Sequence, residues 1–238
     1  MLPAGAVLSG RAEPRLLGRT ATITLAAGRR KSAGVLQGID YRRLAELARH
    51  HDCMLRLLLR VGEHVPAQGA VIEVYGGGPA AGRVLAGLDL GRTRTLWQDP
   101  AFGLRQLVDI AIQALSPAVN QPTTAVQVID RIEDLLLRIA ARPGLTGYFA
   151  DSDGQVRLLQ PVISWEELVE LAFTEITDYG ASSAQVVRRL LAAYDVLERA
   201  AGPARGAVLH DRRTRLLGKS EANRIEPATL RPDPLGLG

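Results

Sequence analysis

The stretch from Thr95 to Ala125, TLWQDPAFGLRQLVDIAIQALSPAVNQPTTA, carries the densest set of groups able to do chemistry. Arg105 and Asp109 are four residues apart and share one face of a helix. Asp99 and Asn120 flank the two ends of that helix. Gln121, Thr123, Thr124 and Asp130 fall on a following helix, which must fold back antiparallel after a short link. Gathered in one open pocket, these carboxylates, amides and hydroxyls would suit acid–base or metal-assisted hydrolysis, with Arg105 available to hold a small anion. Each also has an ordinary duty. Asp99 before Pro100 is a helix cap, Arg105 with Asp109 is a surface ion pair, and the threonines fill a helix start. The set Asp99, Arg105, Asp109, Asn120, Gln121, Thr123, Thr124 and Asp130 is therefore a candidate polar site. None of the eight is assigned a catalytic role.

Other reaction chemistry finds little support. His50-His51-Asp52 suggests a metal site, but adjacent helical positions point about 100° apart and do not converge easily on one ion. A histidine favoured by the negative end of a helix is the simpler reading. Cys53 is the single cysteine, so no intrachain disulfide forms, and its neighbours Met54, Leu55 and Leu57 place it in a core. No G-x-S-x-G, phosphate loop or Cys–His arrangement supports nucleophilic catalysis or nucleotide binding. Asp151-Ser152-Asp153-Gly154 lacks the glutamate of a calcium loop and reads as a turn. No cofactor and no metal are expected.

The elements that must position the candidate residues follow from periodicity and caps. Ala21 to Leu25 hints at a strand, and Val35 to Ile39 reads as another. Asp40 starts a helix through His51. Met54 to Val61 and Ala70 to Tyr75 read as strands. The pattern from Val61 to Ile72, with turn glycines Gly62 and Gly69, resembles half of a biotinyl or lipoyl barrel. A carrier function is excluded, because no lysine lies between Lys31 and Lys219. Gly82 to Leu90 reads as a short helix. Asp99-Pro100 starts a helix ending at Leu115, and Gln121-Pro122 starts the next, stopped by Pro143-Gly144. A hairpin follows around Asp151–Gly154. Ser164 with Glu167, and Ser182 with Gln185, form capping boxes opening two more helices, stopped by Gly180 and by Gly202-Pro203. A last helix covers Ala204 to Leu217.

The expected fold is α+β, mostly α: a helical bundle with a small N-terminal β-module, a half-barrel-like hairpin, and one β-hairpin between helices. The expected organisation is a poorly ordered segment 1–33, a β-module with one helix at 34–80, a helical domain 81–218, and a disordered tail 219–238. Composition agrees. Hydrophobic residues make up 47% and aromatics 4% of 238 residues, so the core is built from Leu, Val, Ile and Ala. The formal charge of +4 is small and much of it sits near the ends, which reads as solvated surface, with anionic lipid head groups as a second option. Nucleic-acid binding is not expected, because the basic residues lack interleaved aromatics. No signal peptide and no run of some 18 apolar residues is present. The chain as given is expected to be soluble and cytoplasmic.

Three segments carry a family resemblance. They are Gly34-Val35-Leu36-Gln37-Gly38-Ile39-Asp40 with Leu44, Leu47, Ala48, His51 and Asp52; Arg92-Thr93-Arg94-Thr95 through Gln98-Asp99-Pro100, Phe102-Gly103 and Arg105 to Ala111; and Ala114 to Asn120, Pro122 to Ala125, and Asp130-Arg131. Over about residues 33–200 the chain resembles the bacterial "predicted membrane protein" family, domain of unknown function 2254. The resemblance implies N-terminal transmembrane helices followed by a soluble region, of which this chain matches only the latter. A truncated copy or a misplaced gene start is expected. Gln121 stands where that family has Asp, a change that weakens a helix cap by about 0.5–1 kcal/mol.

The expected role is an interaction or ligand-sensing domain without evident catalysis. It is normally attached to a membrane-spanning region, and it associates with itself or with a membrane-embedded partner. The alternatives are a hydrolase-like or metal-dependent enzyme using Asp99 to Asp130, and a regulatory domain of a channel or transporter that senses an anion through Arg105. Residues lining one pocket would favour the alternatives, and dispersal into structural pairs would favour the first.

Overall fold

The computed structural model describes residues 6–8, 18–27, 33–225, 230 and 232–233. The chain begins with strand β1 (Ala6–Leu8) and strand β2 (Arg19–Thr24), followed by a 3-10 turn, Leu25–Ala27. Strand β3 (Gly34–Ile39) leads into helix α1 (Tyr41–His50), where the Arg43 amide donates to Asp40 Oδ1 at 3.0 Å and fixes the cap. Strands β4 (Cys53–Leu57), β5 (His64–Val65) and β6 (Ala70–Gly76) follow, then the short helix α2 (Ala81–Leu85) and strand β7 (Leu88–Gly91). Helices α3 (Pro100–Leu115) and α4 (Pro122–Ala140) precede strands β8 (Leu145–Ala150) and β9 (Val156–Leu159). Helices α5 (Trp165–Gly180) and α6 (Ala184–Ala222) complete the described elements. The class is α+β and mostly α.

Two compact units emerge. Residues 1–102 and 143–163 form the first, and residues 103–142 and 164–238 form the second. Position 80 lies inside the first unit, and the β8–β9 hairpin, which falls between α4 and α5 along the chain as expected, belongs to the unit of the other strands.

In the first unit a six-stranded sheet runs in the order β1-β8-β9-β4-β6-β2, and a three-stranded sheet in the order β5-β3-β7. All pairs are antiparallel except β4 with β9, where Leu55 faces Leu158 and Arg56 faces Leu159. The segment read as a half-barrel hairpin is split: β5 pairs with β3, whereas β6 pairs with β2 and β4. Residues 1–33 are not uniformly unstructured. β2 lies along β6, and Ile23 and Leu25 enter the core; residues 1–5, 9–17 and 28–32 lie outside the described set. The helix read over 82–90 stops at Leu85. Gly87 packs so closely that a Cβ would sit 2.7 Å from Leu44 Cδ2, and the alternation Leu88-Asp89-Leu90 suits a strand, with Leu90 buried and Asp89 exposed.

The core of this unit is aliphatic, with Leu36, Leu44, Leu55, Ile72 and Leu158 all buried, and Tyr41 stacks on Phe149 with centroids 4.1 Å apart. Cys53 belongs to this core, and burial pushes its thiol up to about 11, far from a reactive thiolate. The Asp151–Gly154 turn is closed by its own carboxylate. Asp151 accepts the amides of Asp153 and Gln155 through Oδ1, and Arg157 Nε through Oδ2 at 3.1 Å.

In the second unit, Leu104, Val108 and Ala111 of α3, Ile129, Ile132 and Leu136 of α4, Phe173 and Ile176 of α5, and Leu190 and Leu197 of α6 are all fully buried. The Phe173 ring meets Tyr194 edge-on at 5.0 Å. Tyr194 is enclosed, and burial pushes its phenol up to about 12, so it stays neutral and shares a hydrogen bond with Thr177. Ser164 and Glu167 make both bonds of the capping box, at 3.1 and 2.8 Å. The second expected box is replaced: Ser183, not Ser182, is the cap residue of α6, and no side-chain bond serves the cap. Gly180 is not a left-handed stop. Its role is close approach, since a Cβ there would lie 2.6 Å from Val186 Cγ1 and 3.3 Å from Leu115 Cδ1. At Gly202 the φ of +75° breaks α6, Pro203 restarts it, and the helix continues to Ala222, into the segment expected to be disordered. Leu230 is buried as well, and the Asp233 amide lies 3.4 Å from the Arg188 carbonyl; residues 226–229, 231 and 234–238 lie outside the described set.

Candidate functional site

Asp99 is the one member of the candidate set in the first unit, and it is 3% exposed. Arg94 closes on it with two bonds, Nε to Oδ2 at 2.8 Å and Nη2 to Oδ1 at 3.0 Å. The Phe102 amide donates to Oδ1 at 3.0 Å, so the carboxylate also caps α3, and the Arg94 guanidinium lies 4.9 Å from the Phe102 ring centroid. A cap, a bidentate ion pair and a cation–π contact therefore consume this residue. The same clamp shapes the loop before α3. Gln37 Nε2 donates to the Thr93 carbonyl at 2.7 Å, the Ile39 amide donates to Gln98 Oε1 at 3.0 Å, and Gln98 Nε2 donates to the Ile39 carbonyl at 3.3 Å. Between those anchors Leu96 is 63% and Trp97 86% exposed.

In the second unit Arg105 does pair with Asp109, Nε to Oδ1 at 2.8 Å, but it also forks onto both carboxylate oxygens of Glu175 on α5. Hydrogen bonds from Glu175 first, and then Asp109, hold the guanidinium even more firmly charged than a free arginine. With two carboxylates on it, Arg105 keeps little positive charge for an anion. Asn120 occupies the turn after α3 with φ +47°, a conformation asparagine tolerates, and its amide donates to the Ser116 carbonyl at 2.9 Å. Gln121 is the cap residue of α4 but makes no capping bond; its side chain lies 3.4 Å from Thr124 Oγ1. Thr123 is exposed. Asp130 accepts Arg189 Nε at 2.7 Å, and Glu133 joins the same arginine at 2.8 Å as an ion pair without hydrogen-bond geometry.

The candidate residues therefore answer to separate partners: Arg94, Glu175, the α3–α4 turn, and Arg189. The reading from sequence missed Arg94, Glu133 and Arg189. Arg94 was detectable as a basic residue five positions before a capping aspartate. Arg189 was not, because its partners lie 59 and 56 positions away on another helix. Among the described residues, no group of three or more His, Cys, Asp or Glu could hold a metal ion. A surface depression of about 540 Å³ beside the α6 break, flanked by Glu198, Arg199 and His210, includes none of the candidate residues. The unfilled cap supports a simple prediction: Gln121→Asp raises the stability of the chain by about 0.5–1 kcal/mol in urea unfolding, because the new carboxylate can accept the Thr123 amide, whereas the Thr124 and Ala125 amides already donate to the residue 121 carbonyl at 3.1 and 3.4 Å. An unchanged midpoint would mean that the Thr123 amide gains nothing from the carboxylate.

Two compact units, with the charged candidate residues engaged inside them, define an α+β protein, mostly α. Residues 12–195 match the family described as "Predicted membrane protein (DUF2254)", and the chain belongs to that family. The match starts at residue 12, earlier than the residue 33 read from the motifs. The chain is 34% identical over 167 residues to Uncharacterized protein Rv1290c of Mycobacterium tuberculosis (strain H37Rv) and to Uncharacterized protein Mb1321c of Mycobacterium bovis. Each match covers 67% of this chain and 32% of the relative, so the chain spans about a third of the length of these relatives. No solved structure matches. No helix among the described residues is long and apolar enough to cross a membrane.

Proposed function

We propose that this chain is a non-catalytic interaction domain that works beside the membrane-spanning part of a longer protein and associates with itself through its helical unit. One observation carries the reading: Asp99, Arg105 and Asp130, the charged residues best placed for chemistry, are each engaged by a partner inside their own unit. A catalytic carboxylate needs a free face toward substrate, and an anion sensor needs uncompensated positive charge. The helical unit also presents apolar side chains. Val119 is 41% and Tyr179 52% exposed, and the close approach of Gly180 to Leu115 brings the ends of α5 and α3 together. Exposed aromatic and aliphatic residues on adjoining elements are the usual raw material of a contact between copies.

Native mass spectrometry of the 238-residue chain tests the reading. A dimer or higher oligomer without added mass is expected. Tyr179→Ser weakens that association by roughly tenfold, a loss typical of one interfacial aromatic. A monomer carrying a small molecule or metal would overturn the proposal in favour of a sensor or enzyme.

A further inference from the structure

We propose that the loop 92–98 of the first unit is a bilayer-interface anchor, with Leu96 and Trp97 seating among lipid head groups and Arg92 meeting anionic phosphates. The inference does not depend on self-association of the helical unit.

Among the described residues, Trp97 and Leu96 are the two most exposed of the large apolar side chains, and they are consecutive. An isolated exposed leucine is unremarkable, but a tryptophan left 86% open beside it forfeits one of the largest burial gains a side chain offers. The presentation is not a result of slack. The loop is pinned at Thr93 by Gln37, at Gln98 by Ile39, and at Asp99 by the bidentate Arg94. Such pinning makes the pair a preformed element that need not be ordered at the moment of contact.

Charge selects the occupant. Within the loop the Asp99 carboxylate is neutralised by Arg94, which leaves the exposed Arg92 as the net charge beside the apolar pair; Asp89, exposed on β7, is the acidic group just before it. Tryptophan with its amphipathic ring, an aliphatic neighbour and an arginine is the chemistry favoured at the level of lipid head groups. The chain belongs to a family described as a predicted membrane protein, spans about a third of its relatives, and has no described helix able to cross a bilayer. A weak surface anchor suffices for a domain held near the membrane by the rest of a longer chain, since tethering raises its effective concentration there.

The test uses the full chain with vesicles of phosphatidylcholine and phosphatidylglycerol at 3:1, and with phosphatidylcholine alone. Trp165 is buried and donates to the Arg205 carbonyl, so the difference between wild type and Trp97→Phe isolates the signal of Trp97. Wild type is expected to float with the anionic vesicles and to show a blue shift of Trp97 emission, with weaker binding at high salt. The double variant Leu96→Ser, Trp97→Ser should keep the urea midpoint and lose roughly tenfold or more in partitioning. No flotation of wild type, or equal partitioning of the variant, overturns the anchor. A variant that loses self-association while neither protein binds vesicles overturns it too and assigns the loop to a protein contact. Failure of the Tyr179→Ser prediction leaves the anchor standing, because the two measurements read different units.

Discussion

Gly62→Ala is expected to destabilise the first unit by about 3 kcal/mol, an effect out of proportion to one methyl group. Gly62 has φ +94°, where an L side chain costs roughly 1–2 kcal/mol, and its Cβ would collide with Asp99 Oδ2 and lie 2.9 Å from Arg94 Nε. A collision with a side-chain tip is usually relieved by a rotamer change. Here the tip is pinned, because Asp99 is buried between Arg94 and the Phe102 amide, and turning it away breaks the ion pair and the cap together. Urea unfolding measures the loss. A double-mutant cycle with Asp99→Ala supplies the discriminating number: both substitutions break one clamp, so their costs should sum to clearly more than the cost of the double variant. Strict additivity would show that Gly62 acts through its backbone alone. Anchor and clamp are linked as well, since the Gly62→Ala loop, if the chain still folds, should partition into anionic vesicles less than wild type.

The second large effect lies in the helical unit. Arg189 is 4% exposed on α6 and serves Asp130 and Glu133 of α4. Arg189→Ala removes the cation but leaves Glu133, whose side chain is 17% exposed, without its counter-charge, so a loss of about 3 kcal/mol is expected. Asp130→Ala should cost less than about 1 kcal/mol, because that side chain is 46% exposed and Arg189 retains Glu133. The combination Arg189→Met with Glu133→Leu should recover most of the loss, as replacing a buried pair by apolar groups often does. Thermal unfolding of the three variants separates the cases. A large cost for Asp130→Ala would sink the view that Asp130 is a minor partner and would make it a main support of Arg189.

What could be read from sequence divides along the distance between partners. The helix starts at Asp99 and Ser164 were legible because cap and capped amide lie three residues apart. The strands β3, β4 and β6 were legible as apolar segments bounded by turns. The sheet order was not, since β9 reaches β4 across about a hundred residues, and no local pattern announces a parallel neighbour. Helix signals in Gly82 to Leu90 lost to a sheet edge, because Leu88 and Leu90 gain more by pairing with β3 than by extending a five-residue helix. The partners of the candidate residues were hidden for a related reason. Spacing placed Arg105 beside Asp109 correctly, but only the packing of α5 brings in Glu175, and only the packing of α6 brings Arg189 to Asp130.

The first unit is discontinuous along the chain, interrupted after Phe102 and resumed at Pro143. That connectivity sets an order of assembly during synthesis. Strands β4 and β6 can pair as soon as they emerge, but β9, which lies between β4 and β8 in the sheet, is made only after α3 and α4. Until then one edge of β4 offers unpaired backbone groups to whatever is nearby. The nascent chain therefore passes through a stage with two helices made and its larger sheet still open, and closing a loop of that length slows completion. Slow synthesis through residues 103–142 would prolong the exposure, so the yield of folded chain should be more sensitive to translation rate there than in α6.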